Sequence, residues 1–423
     1  MHHFKYRNNK LCCESVDIQH IAERVGTPFY IYSHKTLVDH YTKIKQAFKK
    51  LDPLICFSMK SNSNLSVIKA LVNAGAGLDI VSGGELFKAK RVKADPTKIV
   101  YASVGKTPLE INNAIASGIL LLNVESVSEL AMIDKLCGRL KKTAKVAIRV
   151  NPGVRAKTHK YITTGAKDNK FGIDEDTLLE IFDGKERFSN IDITGIHIHI
   201  GSQITKAQPF VKAIKKASAL IGFLRAKGHK IDYLNIGGGL GIIYDREKPQ
   251  TAKAFAESVI PLIAKLNVKL ILEPGRFISG NSGILVTRVL YVKKSYKKNF
   301  IIVDAAMNDL ARPSLYGAFH EILPLKHSSA SVTRTRFDVV GPICESSDFI
   351  AKDRMLPIFK EGDFLAVMSA GAYGFSMSSN YNARPRAAEV MVLNGMYYIV
   401  RRREKYEDLI RGEVVPRVLK DRT

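Results

Sequence analysis

Two kinds of apolar pattern alternate along more than half of the chain. Short, mainly apolar runs rich in Ile, Leu and Val stand at 54–58, 77–81, 98–102, 119–124, 144–150, 191–197, 231–236 and 268–272. Runs that short predict strands buried on both faces. Between them, at 64–74, 107–117, 126–137, 206–226 and 252–265, apolar residues recur at helical spacing. Eight such strands, each but the last followed by a helix-length segment, predict an α/β fold: a TIM-like (β/α)8 barrel, which roughly 220 residues can build. A doubly wound parallel sheet would give the same alternation with a different closure.

Past about residue 276 the period changes. The runs 284–293, 300–304, 333–341, 364–369, 387–393 and 396–402 alternate or are β-branched, with the turn pair Asn394–Gly395 between the last two. They predict an antiparallel β-sandwich or barrel, which the strand-like PFYIY at 28–32 would join. The expected domains are a barrel over 33–275 and a β domain made of 1–32 and 276–423.

Length agrees with two domains, because 423 residues exceed what one core usually supports. With 46% hydrophobic and 25% charged residues, the composition is that of a globular protein. No apolar run is long enough to span a bilayer and the first residues lack a signal-peptide core, so the expected location is cytoplasmic, with no membrane partner. Five cysteines without CxxC spacing predict neither a disulfide framework nor a metal site. The net charge of +25 is scattered over many helical faces and comes with no recognition motif, so it reads as a solvated basic surface rather than a nucleic-acid site.

In a barrel, chemistry gathers at the C-terminal ends of the strands. Lys60 ends the first run, ICFSMKSNSN, where it is either a surface lysine or a pocket nucleophile held partly deprotonated. IGGGLG at 236–241 follows the seventh strand, where Gly237, Gly238 and Gly239 let backbone N–H groups approach an anion. Gly275 in EPGR offers another close approach. His197 and His199 share a face, as core histidines or as a ring packed on an aromatic ligand. Glu273 beside Arg276 is either a buried ion pair or a carboxylate that keeps a heteroaromatic nitrogen protonated. An amine, a phosphate cradle, a stacking ring and a carboxylate together fit pyridoxal 5′-phosphate.

The chain resembles the barrel-type (fold type III) pyridoxal-phosphate decarboxylases, and within them the enzymes that act on diaminopimelate. The resemblance covers nearly the whole length. It rests on FSMKSNSN at 57–64, LDIVSGGEL at 78–86, THKYITTGAKDNKFGI at 158–173, HIHIGSQI at 197–204, IGGGLGIIY at 236–244, EPGRFI at 273–278, DAAMNDLARPSLYGAFHEI at 304–322, GPICESSD at 341–348 and GAYGFSMSSNYNARPR at 371–386. It implies that Lys60 carries the cofactor, His199 stacks on it and Glu273 meets its ring nitrogen. Ser202, Gly237, Gly238, Gly239, Gly275, Arg276 and Tyr373 would hold the phosphate, with Asp79 and Arg149 as supports. For the substrate it implies Arg276, Arg312, Tyr316, Glu345 and Tyr373, with Cys344 as general acid. It also implies a homodimer in which the neighbouring subunit contributes Cys344, Glu345 and Tyr373. The expected reaction is decarboxylation of diaminopimelate to lysine, with ornithine, arginine or carboxynorspermidine as rival substrates and a non-catalytic cofactor-binding homologue as the alternative outside enzymes. The motif around Lys60 departs from the family, which more often begins it tyrosine–alanine and has alanine after the lysine.

Overall fold

The computed structural model describes residues 2–154, 170–327 and 333–419. Residues 158–169 of the motif at 158–173 lie outside the described residues. The chain forms two compact units: Met1–His3, Ser33–Gly283 and Gly371–Ser376 in one, and Phe4–Tyr32, Ile284–Ala370 and Met377–Thr423 in the other.

The first unit is a closed barrel of eight parallel strands: β1 (Leu54–Ser58), β2 (Gly77–Ile80), β3 (Ile99–Ala102), β4 (Leu121–Val124), β5 (Ala144–Arg149), β6 (Ile191–His197), β7 (Tyr233–Asn235) and β8 (Lys269–Leu272). Each pairs with its neighbour in chain order, and β8 closes on β1 through Ile271 opposite Leu54. Closure decides between the two folds that the alternation permits, in favour of the barrel.

Burial of the strands on both faces explains the mainly apolar runs; GLDI in β2 is wholly buried, Asp79 included. A Cβ on Gly77 would lie 2.3 Å from the Lys98 carbonyl, so that strand must start with glycine. Polar side chains start the crossover helices. Asn64 accepts from Ser66 N, Ser126 from Glu129 N and Thr251 from Ala254 N, while Thr107 and Glu110 form a reciprocal capping box. Each such cap contributes about 1 kcal/mol, and together they place the point at which each loop leaves the barrel mouth.

The second unit holds a nine-stranded sheet. Its strands after the barrel are β9 (Gly283–Ser295), β10 (Lys298–Val303), β11 (Ile322–Pro324), β12 (Arg334–Val340), β13 (Phe349–Pro357), β14 (Phe364–Val367), β15 (Ala388–Leu393) and β16 (Met396–Arg401). The order is β13-β12-β10-β9, then Phe29–Ser33, then β15-β16, with β14 pairing β9 and β11. The sheet is not purely antiparallel as expected: β10 and β12 run parallel, Phe300 opposite Asp338. β11 lies between these two in sequence and pairs elsewhere, so the chain returns to β10 by a crossover that a hairpin pattern does not reveal. Asn394 and Gly395 both have positive φ, +52° and +77°, as the tight β15–β16 hairpin requires. Ile18, Phe29, Ile31, Ile284 and Val390 are among the buried side chains of this unit's core.

Candidate active site

The strand ends of the barrel bring together polar residues that are far apart in sequence. Lys60 sits in the 3-10 turn Met59–Ser61 directly after β1, and its Nζ lies 3.8 Å from Asp79 Oδ2 on β2. The Asp79 side chain is fully enclosed, while 39% of the Lys60 side chain remains accessible. Ser58, the last residue of β1, donates its hydroxyl to the same Asp79 oxygen at 2.5 Å.

Glu273 follows β8 and is 5% exposed. Its Oε1 accepts from Asn235 Nδ2 at 2.6 Å and from Asn123 Nδ2 at 3.2 Å, and its Oε2 faces His197 Nε2 at 3.6 Å. Burial works to raise this carboxyl. The neighbouring His197, with Lys60 and the Asn235 bond, outweighs it and holds the group well below the usual carboxylate range. Asp79 behaves in the opposite way: burial first, then the charge of Glu273, push it up to about 8 against Lys60 and Ser58. Of the two enclosed carboxyls, Glu273 takes the negative charge.

Lys60 differs from the expectation of a partly deprotonated amine. Burial does oppose its charge, but Asp79, then Tyr373 and Glu273, more than offset it and leave the amine above its ordinary range. The acidic wall of the pocket therefore favours a cation at this nitrogen, because nearby negative charge stabilises the protonated form.

His199 stands two residues beyond β6. Its Nδ1 accepts from Gly238 N at 3.2 Å, which leaves the proton of a neutral ring on Nε2. Burial, reinforced by the charges of Arg149 and Lys60, keeps it well below the usual imidazole range, so the ring is neutral. The glycines of the loop after β7 are dictated by contact. A Cβ on Gly237 would come 2.5 Å from His199 Nδ1, one on Gly238 2.2 Å from the Glu273 carbonyl, and one on Gly239 2.4 Å from the Gly201 carbonyl.

Arg276 opens the short helix Arg276–Ser279 and is 8% exposed. Its guanidinium donates to Ser202 Oγ at 3.2 and 3.3 Å and to the Tyr244 hydroxyl at 2.7 Å, and lies 4.8 Å from the centre of the Tyr373 ring. Tyr373 N donates to the Ser61 carbonyl at 2.8 Å. Tyr373 thus packs against Arg276 of its own chain, and residues 371–376 belong to the barrel unit. Arg149, at the end of β5, bonds Glu125 at 2.7 Å, and Gly172 N anchors the other Glu125 oxygen at 3.1 Å.

The remaining sequence candidates belong to the second unit. Arg312 is buried and donates to His320 Nε2 at 2.9 Å; His320 Nδ1 must be the protonated nitrogen, since it meets the Met368 carbonyl at 2.7 Å. Tyr316 ends the same short helix, Arg312–Tyr316, and is half-buried. Cys344 and Glu345 project from a turn that buried Ile343 and Asp348 tie down, Asp348 accepting from Ile343 N and Met307 N at 2.7 Å each. Both Cys344 and Glu345 are exposed. Glu345 accepts from Ser347 and, at 2.8 Å, from Tyr381, and those bonds lower its pKa.

Sequence reasoning missed Asn123, Asn235, Tyr244, Glu125 and Ser58. The asparagines carried a signal, since an amide inside the apolar runs LLNV and YLN needs a buried partner.

A parallel barrel with a lysine, a charged enclosed carboxylate, a neutral imidazole and a glycine-and-arginine cradle at one mouth defines a class of aldehyde-cofactor enzyme. The residues suit pyridoxal 5′-phosphate. Glu273 can accept from a ring N–H, the flat neutral His199 can face the ring, and Arg276 with Ser202 and the glycine loop can take a phosphate.

The family described as "Pyridoxal-dependent decarboxylase, pyridoxal binding domain" matches residues 34–280. A relative from Aquifex aeolicus named diaminopimelate decarboxylase is 46% identical over 409 residues, covering 96% of each chain. One of the same name from Vibrio cholerae is 44% identical over 411 residues, 97% of this chain and 98% of its own. Among solved structures, diaminopimelate decarboxylase from Helicobacter pylori complexed with L-lysine matches with TM-score 0.90 and 40% identity, over 93% of this chain and 98% of that one. The chain belongs to the diaminopimelate decarboxylase family of the pyridoxal-dependent decarboxylases.

Proposed function

We propose that the protein removes one carboxylate of meso-2,6-diaminopimelate as CO2 and leaves L-lysine, the last step of lysine biosynthesis, as a cytoplasmic homodimer. The observation that carries the chemistry is Glu273, an enclosed carboxylate that stays charged against burial at the same barrel mouth as Lys60. The names of relatives at 40–46% identity support the choice of substrate, as does the L-lysine bound to the Helicobacter pylori enzyme.

Bound pyridoxal 5′-phosphate supplies an electron sink for the bond that breaks when CO2 leaves. Lys60 is the residue that would hold the cofactor, through its side-chain amine. Glu273 would accept from the ring N–H, and His199 would offer a neutral ring to the cofactor's face. Arg276, with Ser202, Tyr373, Gly275 and Gly237 to Gly239, would hold the phosphate. Asp79 and Arg149 support Lys60 and the strand ends around it.

Arg276, Arg312, Tyr316 and Tyr373 bind substrate carboxylate, and Glu345 meets the amino-acid end distant from the reacting carbon. Holding both ends would select which of the two carboxylates is presented for loss. Cys344 returns a proton to that carbon. The exposure of Cys344 and Glu345 suits residues presented to a neighbouring copy.

The test is incubation of the purified protein and cofactor with meso-diaminopimelate, lysine, ornithine and arginine, measuring CO2 and amine products. Release from diaminopimelate with lysine as product is expected; CO2 from ornithine alone would overturn the assignment. A monocarboxylic substrate leaves charged partners unpaired, a loss of several kcal/mol.

A further inference from the structure

Ser58 stands at the very end of β1, two residues before Lys60, and is 2% exposed. A buried serine at a strand end commonly bonds to backbone. Here the hydroxyl goes to a carboxyl instead, Asp79 Oδ2 at 2.5 Å, the oxygen that also lies 3.8 Å from Lys60 Nζ. Among the described residues Asp79 Oδ1 has no hydrogen-bond partner. Ser58 is therefore the donor that turns Oδ2, rather than Oδ1, to the amine.

The segment is built to hold that hydroxyl still. Ser58 N donates to the Pro274 carbonyl at 3.3 Å, and its carbonyl accepts from Ser61 Oγ at 2.8 Å. Ser61 Oγ in turn accepts from Ser279 Oγ at 3.1 Å. A Cβ on Gly275 would lie 3.0 Å from Ser58 Cβ, so the strand end is packed tightly from that side.

We propose that Ser58 is a positioning residue that orients the Asp79 carboxyl toward the Lys60 amine and sets the pH at which that carboxyl becomes charged. This deepens the reading above and rests on Lys60 being the cofactor-bearing lysine. The charged groups that face Asp79 are Lys60, Glu273 and Glu85; those that face Lys60 are Asp79, Glu273, Tyr373 and Arg149. Of the groups acting on Asp79, Lys60 and Ser58 favour its anion, whereas burial, Glu273 and Glu85 oppose it. Because the sites interact, the observable is a midpoint of the cluster.

The inference is tested on apo protein by the rate of pyridoxal 5′-phosphate capture against pH. Capture is followed by long-wavelength absorbance, and its position is mapped after borohydride reduction. When Asp79 ionises it favours the protonated amine, so the pH profile of capture at Lys60 should bend at that ionisation. In Ser58→Ala the bend moves to higher pH by about one unit or more, because a donor to the carboxylate is lost. Ser58→Thr, which keeps a donor, stays at the parent midpoint. Asp79→Asn removes the bend, and adding Ser58→Ala to it changes nothing further. A parent profile with no bend, a bend unmoved in folded Ser58→Ala, one displaced equally in Ser58→Thr, or one that survives in Asp79→Asn overturns the inference. Capture mapped to another lysine would instead defeat the assignment of Lys60 itself.

Discussion

Asn235 donates to Glu273, Nδ2 to Oε1 at 2.6 Å, across the ends of the paired strands β7 and β8. The same amide accepts from Gly237 N through Oδ1 at 2.9 Å, which orients it and ties the glycine loop to the carboxylate. One asparagine thus sustains a buried charge and positions the cradle beside it.

Removing that donor weakens the charge. Asn235→Leu should lower kcat/KM by roughly 10- to 100-fold, the scale of a hydrogen bond to an ionised group. Glu273→Gln, which abolishes the charge, should cost roughly 10²-fold or more. Steady-state kinetics on diaminopimelate checks both, and an Asn235→Leu enzyme with parental kcat/KM would refute the first.

Lys60→Ala should fold, because the residue follows β1 rather than pairing within it. It should lose the long-wavelength absorbance of covalently held pyridoxal. Retention of that band would place the covalent link on another residue.

Cys344 is exposed on its turn, so Cys344→Ala opens no cavity in the core. The variant should bind cofactor with the parental spectrum and lose turnover by roughly 10²- to 10⁴-fold, the usual worth of a positioned acid. Unaltered turnover would remove Cys344 from the mechanism.

Asp309 makes a prediction about stability. Burial raises its carboxyl to about 7, with Asp304 adding to that and Arg384 and Arg403 opposing it. The folded chain then keeps a proton that the unfolded chain loses near pH 4, so stability falls between about pH 4 and about pH 7 and is level above. Asp309→Asn lacks this cost while an amide oxygen can still accept from Ala306 N, as Asp309 does at 3.0 Å. Relative to the parent, the variant should gain roughly 1.4 kcal/mol per pH unit across that window. Urea unfolding of apo protein at pH 5 and pH 8 measures it, and an equal difference at both pH values would contradict the raised pKa.

The barrel was readable because parallel strands buried on both faces leave short, mainly apolar runs: each of the eight runs contains its strand to within two residues at either end. The helices 34–47, 83–91 and 175–183 were not picked out, and the strand Phe349–Pro357 was missed as well. That strand carries Lys352, Asp353 and Arg354 among its residues, which interrupts the alternation that marks its neighbours. The parallel pairing of β10 with β12 was invisible for another reason, since pairing partners are set by the crossover and not by either strand's own pattern.

By itself, the sequence determined which residues become the barrel strands and which polar groups stand at their ends, because period and punctuation are local properties. Lys60, His199, Glu273 and the loop from Gly237 to Gly239 could all be placed at strand ends in that way. Only the tertiary structure decided which of them meet, and with what charge. Ser58 reaches Asp79 across 21 positions, Glu273 reaches Asn123 across 150, and Tyr373 returns to Arg276. Their ionisation depends on burial and on charges brought close by closure of the barrel, so Glu273 is an anion while Asp79, also buried, resists becoming one.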